Sequence, residues 1–113
     1  VRVPESLVLR DEVSANDRRH LSVSLHDDGA LRIDGHDLGD GVERAFGAGI
    51  REYEWITEIA AADLPRLVAA LGGAPGAAIL ELIRTRCLVD PAFLEASIKQ
   101  AGITPRFWSR TGE

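Results

Sequence analysis

The chain has 113 residues and a mass of 12.2 kDa, the length of one domain, and 45% hydrophobic against 27% charged residues excludes a disordered or fibrous class. One cysteine, Cys87, excludes a disulfide framework and a zinc site built from several thiolates. The net charge of −5 comes without a basic stripe, which argues against general nucleic-acid binding, and no apolar run reaches the ~18 residues of a bilayer-spanning helix.

The charge is uneven. Residues 1–60 hold seven arginines and thirteen acids, whereas residues 61–113 hold six basic residues and five acids. An acidic half steers basic partners. Residues 1–4 lack the charged-then-apolar pattern of a leader, so a cytoplasmic, cofactor-free, single domain over 1–113 is expected. Its parts are strands over 1–60, helices over 61–103 and an extended tail over 104–113.

Residues 7–13 predict a first strand with Leu7, Leu9, Asp11 and Val13 on one face and Arg10 and Glu12 on the other. An acid on the inner face predicts a sheet edge. Residues 14–19 are expected to return the chain as a loop. Residues 20–26 alternate strictly, with Leu21, Val23 and Leu25 on one face, and residues 30–34 alternate with Leu31 and Ile33.

The turn between them can be chosen by register. A two-residue Asp28-Gly29 turn sets Leu25 against Arg32. A three-residue Asp27-Asp28-Gly29 loop sets Leu25 against Leu31 and Val23 against Ile33, like with like on one face. The second register is the consistent one, and it gives Gly29 the left-handed position beside a bulge.

Residues 35–49 contain five glycines and are the least regular stretch, with Val42 and Phe46 spaced for one helical turn. Residues 51–59 predict a long strand. Tyr53, Trp55, Thr57 and Ile59 share one face; Glu52, Glu54 and Glu58 share the other, interrupted by Ile56.

The period then changes to 3.6. Asp63 is a candidate N-cap, and Leu64, Leu67, Val68 and Leu71 form a stripe that Gly72-Gly73 ends. A second helix over 76–88 carries Ala78, Ile79, Leu80, Leu82, Ile83 and Cys87. A third follows Asp90-Pro91, with Phe93, Leu94, Ile98 and Ala101 inward and Gly102 as its stop. Thr104-Pro105 forces extended backbone into Phe107-Trp108. Strands first and helices after predict an α+β fold: a meander of about four antiparallel strands with one face under about three C-terminal helices.

The segments Arg51-Glu52-Tyr53-Glu54-Trp55, Asp63-Leu64-Pro65-Arg66-Leu67-Val68-Ala69-Ala70-Leu71-Gly72-Gly73 and Phe107-Trp108-Ser109-Arg110 resemble small, functionally uncharacterised proteins of high-GC actinobacteria, over about residues 20–113. The resemblance implies no activity and no site residues.

Candidate chemistry is sparse. His20, His26, His36 and several aspartates crowd residues 20–40, but His20 and His26 lie about 20 Å apart along a strand at ~3.3 Å per residue. The loop over 34–40 lacks calcium-loop spacing and its terminal glutamate. No metal site is expected. Cys87 has no histidine near it in sequence and sits in an apolar helix, where a thiol acts as a small hydrophobe. Without a phosphate-cradling loop, a nucleophile elbow or converging acids, the reading leans away from an enzyme and assigns no catalytic residue.

The sheet's open face is the leading candidate. It would carry Glu52, Glu54, Glu58, Arg32, Asp34 and His26, with His20, Ser22, Ser24, Arg10 and Glu12 pointing the same way, and dock a basic protein partner. An inhibitor, immunity or antitoxin-like role fits that picture. The alternative is a small-molecule or catalytic pocket between sheet and helices near Tyr53, Trp55, Trp108 and the 35–49 segment. Self-association through the face or an edge strand is a third reading. Phe107-Trp108, flanked by Arg106 and Arg110, is either an interface anchor or part of the packing.

Overall fold

In the computed structural model the described residues are 5–113, and the N-terminal stretch 1–4, expected to carry no leader, lies outside them. Five strands form one antiparallel meander in the order of the chain: β1 (Glu5–Val13), β2 (Asp17–Leu25), β3 (Leu31–Gly39), β4 (Glu52–Ile59) and β5 (Arg106–Gly112). Four helices accompany them: α1 (Asp40–Phe46), α2 (Leu64–Ala70), α3 (Ile79–Cys87) and α4 (Ala92–Gln100). This is the α+β meander the periodicities predict, with one more strand and one more helix.

The β2–β3 hairpin takes the register chosen from the sequence. Leu25 faces Leu31 and Val23 faces Ile33. His26 N–H donates to Ala30 O (2.9 Å), Gly29 N–H donates to His26 O (2.9 Å), and Gly29 has φ 85°. The Asp28 carboxylate accepts from Ala30 N–H at 2.9 Å and closes the loop.

Three expectations for the strands change. The 14–19 loop shrinks to a tight turn, because β2 begins at Asp17 and pairs there with Gly39 of a β3 that runs into the first five residues of the glycine-rich stretch. The extended tail is a strand: Arg106–Gly112 pairs with β4, setting Phe107 opposite Thr57 and Trp108 opposite Ile56. In β1 the alternation breaks at a bulge between Val8 and Arg10. Leu7 and Leu9 face the core as expected, but Arg10 then pairs with Leu21 and Glu12 with Arg19. Arg10 and Glu12 therefore share the inner face, and Asp11 turns outward beside His20.

Helix ends follow their glycines. Gly73 N–H reaches Val68 O (2.9 Å) after α2, and Ile103 N–H reaches Ile98 O (3.3 Å) after α4. Asp63 makes no capping bond; its carboxylate pairs with Arg66 one turn on. Phe93, assigned to the inner stripe of α4, is exposed, and the buried positions are Leu94, Ser97 and Ile98. The Ser97 hydroxyl satisfies itself by donating to Phe93 O at 2.7 Å.

The core lies between the sheet's inner face and α2–α4. Val23, Leu31 and Ile59 from the sheet meet Leu67, Ile83, Cys87 and Leu94, all fully or almost fully buried. Each such apolar side chain contributes roughly 1.5–3 kcal/mol over exposure. Burial, with Asp90 nearby, pushes the Cys87 thiol up and so disfavours its thiolate.

Candidate functional site

The inner face changes character along the strands. Cross-strand rows run Leu25, Leu31 and Ile59; then Val23, Ile33, Thr57 and Phe107; then Leu21, Gly35, Trp55 and Ser109; then Arg19, Asp37, Tyr53 and Thr111. The apolar rows lie under α2–α4. At the other end α1 packs against β3 and β4. Between the two lies a trough in which apolar, aromatic and charged groups are adjacent.

Two cavities open there. One, of about 440 Å³, has Leu21, Ile33, Trp55 and Thr57 as its floor and Leu94 and Ile98 of α4 as its roof, with Phe107 at the side; Arg10, Arg19 and Lys99 bring charge to its lining. The other, of about 420 Å³, lies towards α1 and is lined by Glu12, Asp17, Asp37, Tyr53 and Phe46. Arg19 borders both.

Gly35 explains how Trp55 lies in the floor. A Cβ at this position would stand 2.1 Å from two atoms of the Trp55 ring, so the ring rests directly on the β3 backbone. Tyr53 stacks on Trp55 with centroids 5.0 Å apart, and Phe46 of α1 lies 4.8 Å from Tyr53 at a tilt. The three rings line the trough from one cavity to the other.

The charges in the trough are loosely engaged. Arg10 Nε lies 3.4 Å from Glu12 Oε1, and Arg19 Nε lies 3.8 Å from Asp37 Oδ2. Asp37 Oδ1 is buried and has no hydrogen-bond partner among the described residues. Burial pushes the Asp37 carboxyl up, and nearby Arg19 and Arg10 only partly oppose it.

The open outer face holds the residues assigned to partner docking. Glu52, Glu54 and Glu58 do point away from the helices, opposite to Tyr53 and Trp55. Each lies beside an arginine of β5: Arg106 Nη1 is 3.5 Å from Glu58, and Arg110 Nη2 is 3.2 Å from Glu52 and also pairs with Glu54. Arg32 and Asp34 pair with each other at 3.1 Å, and the Ser24 hydroxyl lies 3.1 Å from His26 Nε2. Arg10 and Glu12, expected on this face, lie on the other. The outer face is therefore a lattice of alternating charge.

His36, Glu52 and Glu54 also converge there, with ligand atoms all within 4.8 Å. His36 Nε2 donates to Glu52 Oε2 at 2.7 Å, and this bond, with Arg110 beside it, holds the Glu52 carboxyl below its ordinary range. The Arg110 guanidinium bridges the two glutamates, so a cation already balances the cluster.

Of the residues assigned to a pocket, Tyr53 and Trp55 line the trough, whereas Trp108 takes the outer face and its neighbour Phe107 lines the larger cavity. Sequence reasoning missed Arg10, Arg19 and Asp37, the first because the bulge leaves no mark on the alternation. The signal for the floor was present: a glycine in mid-strand marks a close approach of something large. No protein-family model, no curated protein and no solved structure matches this chain. Among the described residues no helix is long and apolar enough to cross a membrane.

Proposed function

We propose that this chain is a non-catalytic binding domain that holds a small molecule between the sheet and α4. The observation that supports the reading is the cavity of about 440 Å³, apolar in its floor and roof and charged at Arg10, Arg19 and Lys99. Its size falls within the range of small-molecule sites, which combine apolar walls with a few placed polar groups. A tryptophan laid flat on a glycine gives it a rigid floor.

The test is a thermal-shift screen on wild type and on Thr57→Trp, which fills the cavity from its floor. A ligand at a hundred times its Kd should stabilise the wild type by about 2.7 kcal/mol and leave the variant unchanged. Equal shifts in both proteins would place binding elsewhere and end this reading.

A second reading, docking of a protein partner by an inhibitor, immunity or antitoxin-like factor, is favoured by Trp108. This residue is 48% exposed on the outer face, opposite Ile56 and between the Arg106–Glu58 and Arg110–Glu54 pairs. An aromatic anchor ringed by paired charges is the pattern of an interface hot spot. Binding lost on Trp108→Ala but kept on Thr57→Trp would favour this face over the cavity, and light scattering would show whether the partner is a second copy.

A further inference from the structure

Resting on the cavity reading, we infer that the ligand is an amphipathic anion: an apolar body lying on Trp55 beneath α4, with a carboxylate or phosphate head held by Arg10 and Arg19. The two arginines come from adjacent strands and share the inner face, because the β1 bulge sets Arg10 opposite Leu21 while Arg19 lies opposite Glu12. Both line the same cavity as Leu21, Ile33, Trp55, Ile98 and Phe107, so an apolar group seated there brings its head to them.

Their present partners leave them available. The carboxylate contacts, 3.4 Å for Arg10 and 3.8 Å for Arg19, exceed the 2.7–2.9 Å of a charge-assisted hydrogen bond. A guanidinium has five N–H donors in a planar fork suited to two-point binding of carboxylate or phosphate. The Arg10 side chain is only 19% exposed, so water replaces such a partner poorly. Lys99 of α4 adds a third cation on the opposite wall; its partner Glu95 is 3.9 Å away, and both side chains are well exposed. The cavity lining carries Arg10, Arg19 and Lys99 against the single acid Glu95. Glu12 and Asp37, the loose partners of the two arginines, stand outside that lining, so the groups that face the cavity select an anion over a neutral or cationic head of the same length.

The test uses the full chain carrying Trp108→Phe, so that Trp55 is the only tryptophan and its emission reports the cavity floor. The probes are dodecanoate, dodecyl phosphate, dodecanol and dodecyltrimethylammonium, each below the concentration at which it forms micelles. At least one anion should bind tenfold or more tighter than dodecanol, and the ammonium should bind more weakly still. Which anion binds better separates a carboxylate from a phosphate ligand. In Arg10→Gln/Arg19→Gln the anion should fall to the affinity of dodecanol, while dodecanol itself is unchanged. Dodecanol binding as tightly as either anion in the unsubstituted site, or an anion advantage that survives the double substitution, overturns the head-group assignment and leaves the cavity reading standing. If none of the four changes Trp55 emission, the cavity reading falls with it.

Discussion

Replacing Gly35 by alanine tests the floor of the trough, because two effects of opposite sign meet at this position. In an ordinary strand the substitution stabilises, by roughly 0.5–1 kcal/mol, since alanine has less unfolded-state freedom to lose. Here the new methyl carbon would stand 2.1, 2.1 and 2.5 Å from three atoms of the Trp55 ring. The β3 backbone is held on both sides by β2 and β4, so the strand cannot withdraw. The indole has to rotate as a rigid unit, away from its stack on Tyr53. Overpacking of this kind costs about 1–3 kcal/mol, which outweighs the entropic gain. Less that gain, a net loss of up to about 2 kcal/mol lowers Tm by as much as roughly 8 °C for a domain of this length. Thermal and urea melts followed by circular dichroism give the stability, and Trp55 emission in a Trp108→Phe background reports the ring. A Gly35→Ala protein as stable as wild type or more so, with unchanged emission, would refute the claim that Trp55 rests on the β3 backbone.

Gly29→Ala places a Cβ at φ 85° and 2.9 Å from the Ala61 methyl, so it should destabilise by about 1–2 kcal/mol in a urea melt. Ile83, fully buried on α3, should cost about 2–5 kcal/mol when cut to alanine by the same measurement. Carboxyl NMR titration should find Asp37 and Glu52 displaced in opposite directions: Asp37 above its ordinary value because burial disfavours its charge, Glu52 below because His36 and Arg110 hold it ionised. The folded state holds the Asp37 proton more tightly than the unfolded chain, so this group lowers stability as pH rises from its unfolded value through its folded one; Glu52 adds stability above its unfolded value and loses it as pH falls through the folded one. Asp37→Asn should therefore flatten the first dependence, and Arg110→Ala should move the Glu52 titration up towards the ordinary range.

Much of the fold was legible because the two periods are clean. Leu21, Val23 and Leu25 can only meet Leu31 and Ile33 through a three-residue loop, so side-chain likeness alone chose the hairpin register. Tyr53, Trp55 and the three glutamates fell on opposite faces for the same reason. β5 was not legible as a strand because Phe107 and Trp108 are adjacent and its polar residues show no alternation; its place is decided by the free edge of β4. The glycine-rich end of β3 read as irregular because a low-propensity stretch becomes a strand only when β2 and β4 supply its hydrogen bonds. The charge of the outer face was half legible. The glutamates were assigned correctly to it, but the arginines that balance them arrive on β5, about fifty residues later in the chain.

The bulge in β1 is what allows one short strand to serve both the core and the trough. With unbroken alternation, Leu7, Leu9, Asp11 and Val13 would all point inward. An acid would then sit on the inner face beside Leu21, and Arg10 would stand in water on the other side of the sheet. The extra residue between Val8 and Arg10 lets Leu9 remain buried and turns Arg10 inward immediately after it. Asp11 is released to the outer face, where His20 lies 3.5 Å away and Arg18 3.9 Å away. Two successive residues thus present a hydrophobe to the core and a guanidinium to the cavity, a juxtaposition that period-two alternation cannot produce. A largely buried cation next to an apolar wall is costly unless something offsets its lost hydration, and Glu12 at 3.4 Å does so only in part. The fold therefore leaves Arg10 with hydrogen-bonding capacity directed at the cavity it lines, where the proposed apolar ligand with a charged end would use it.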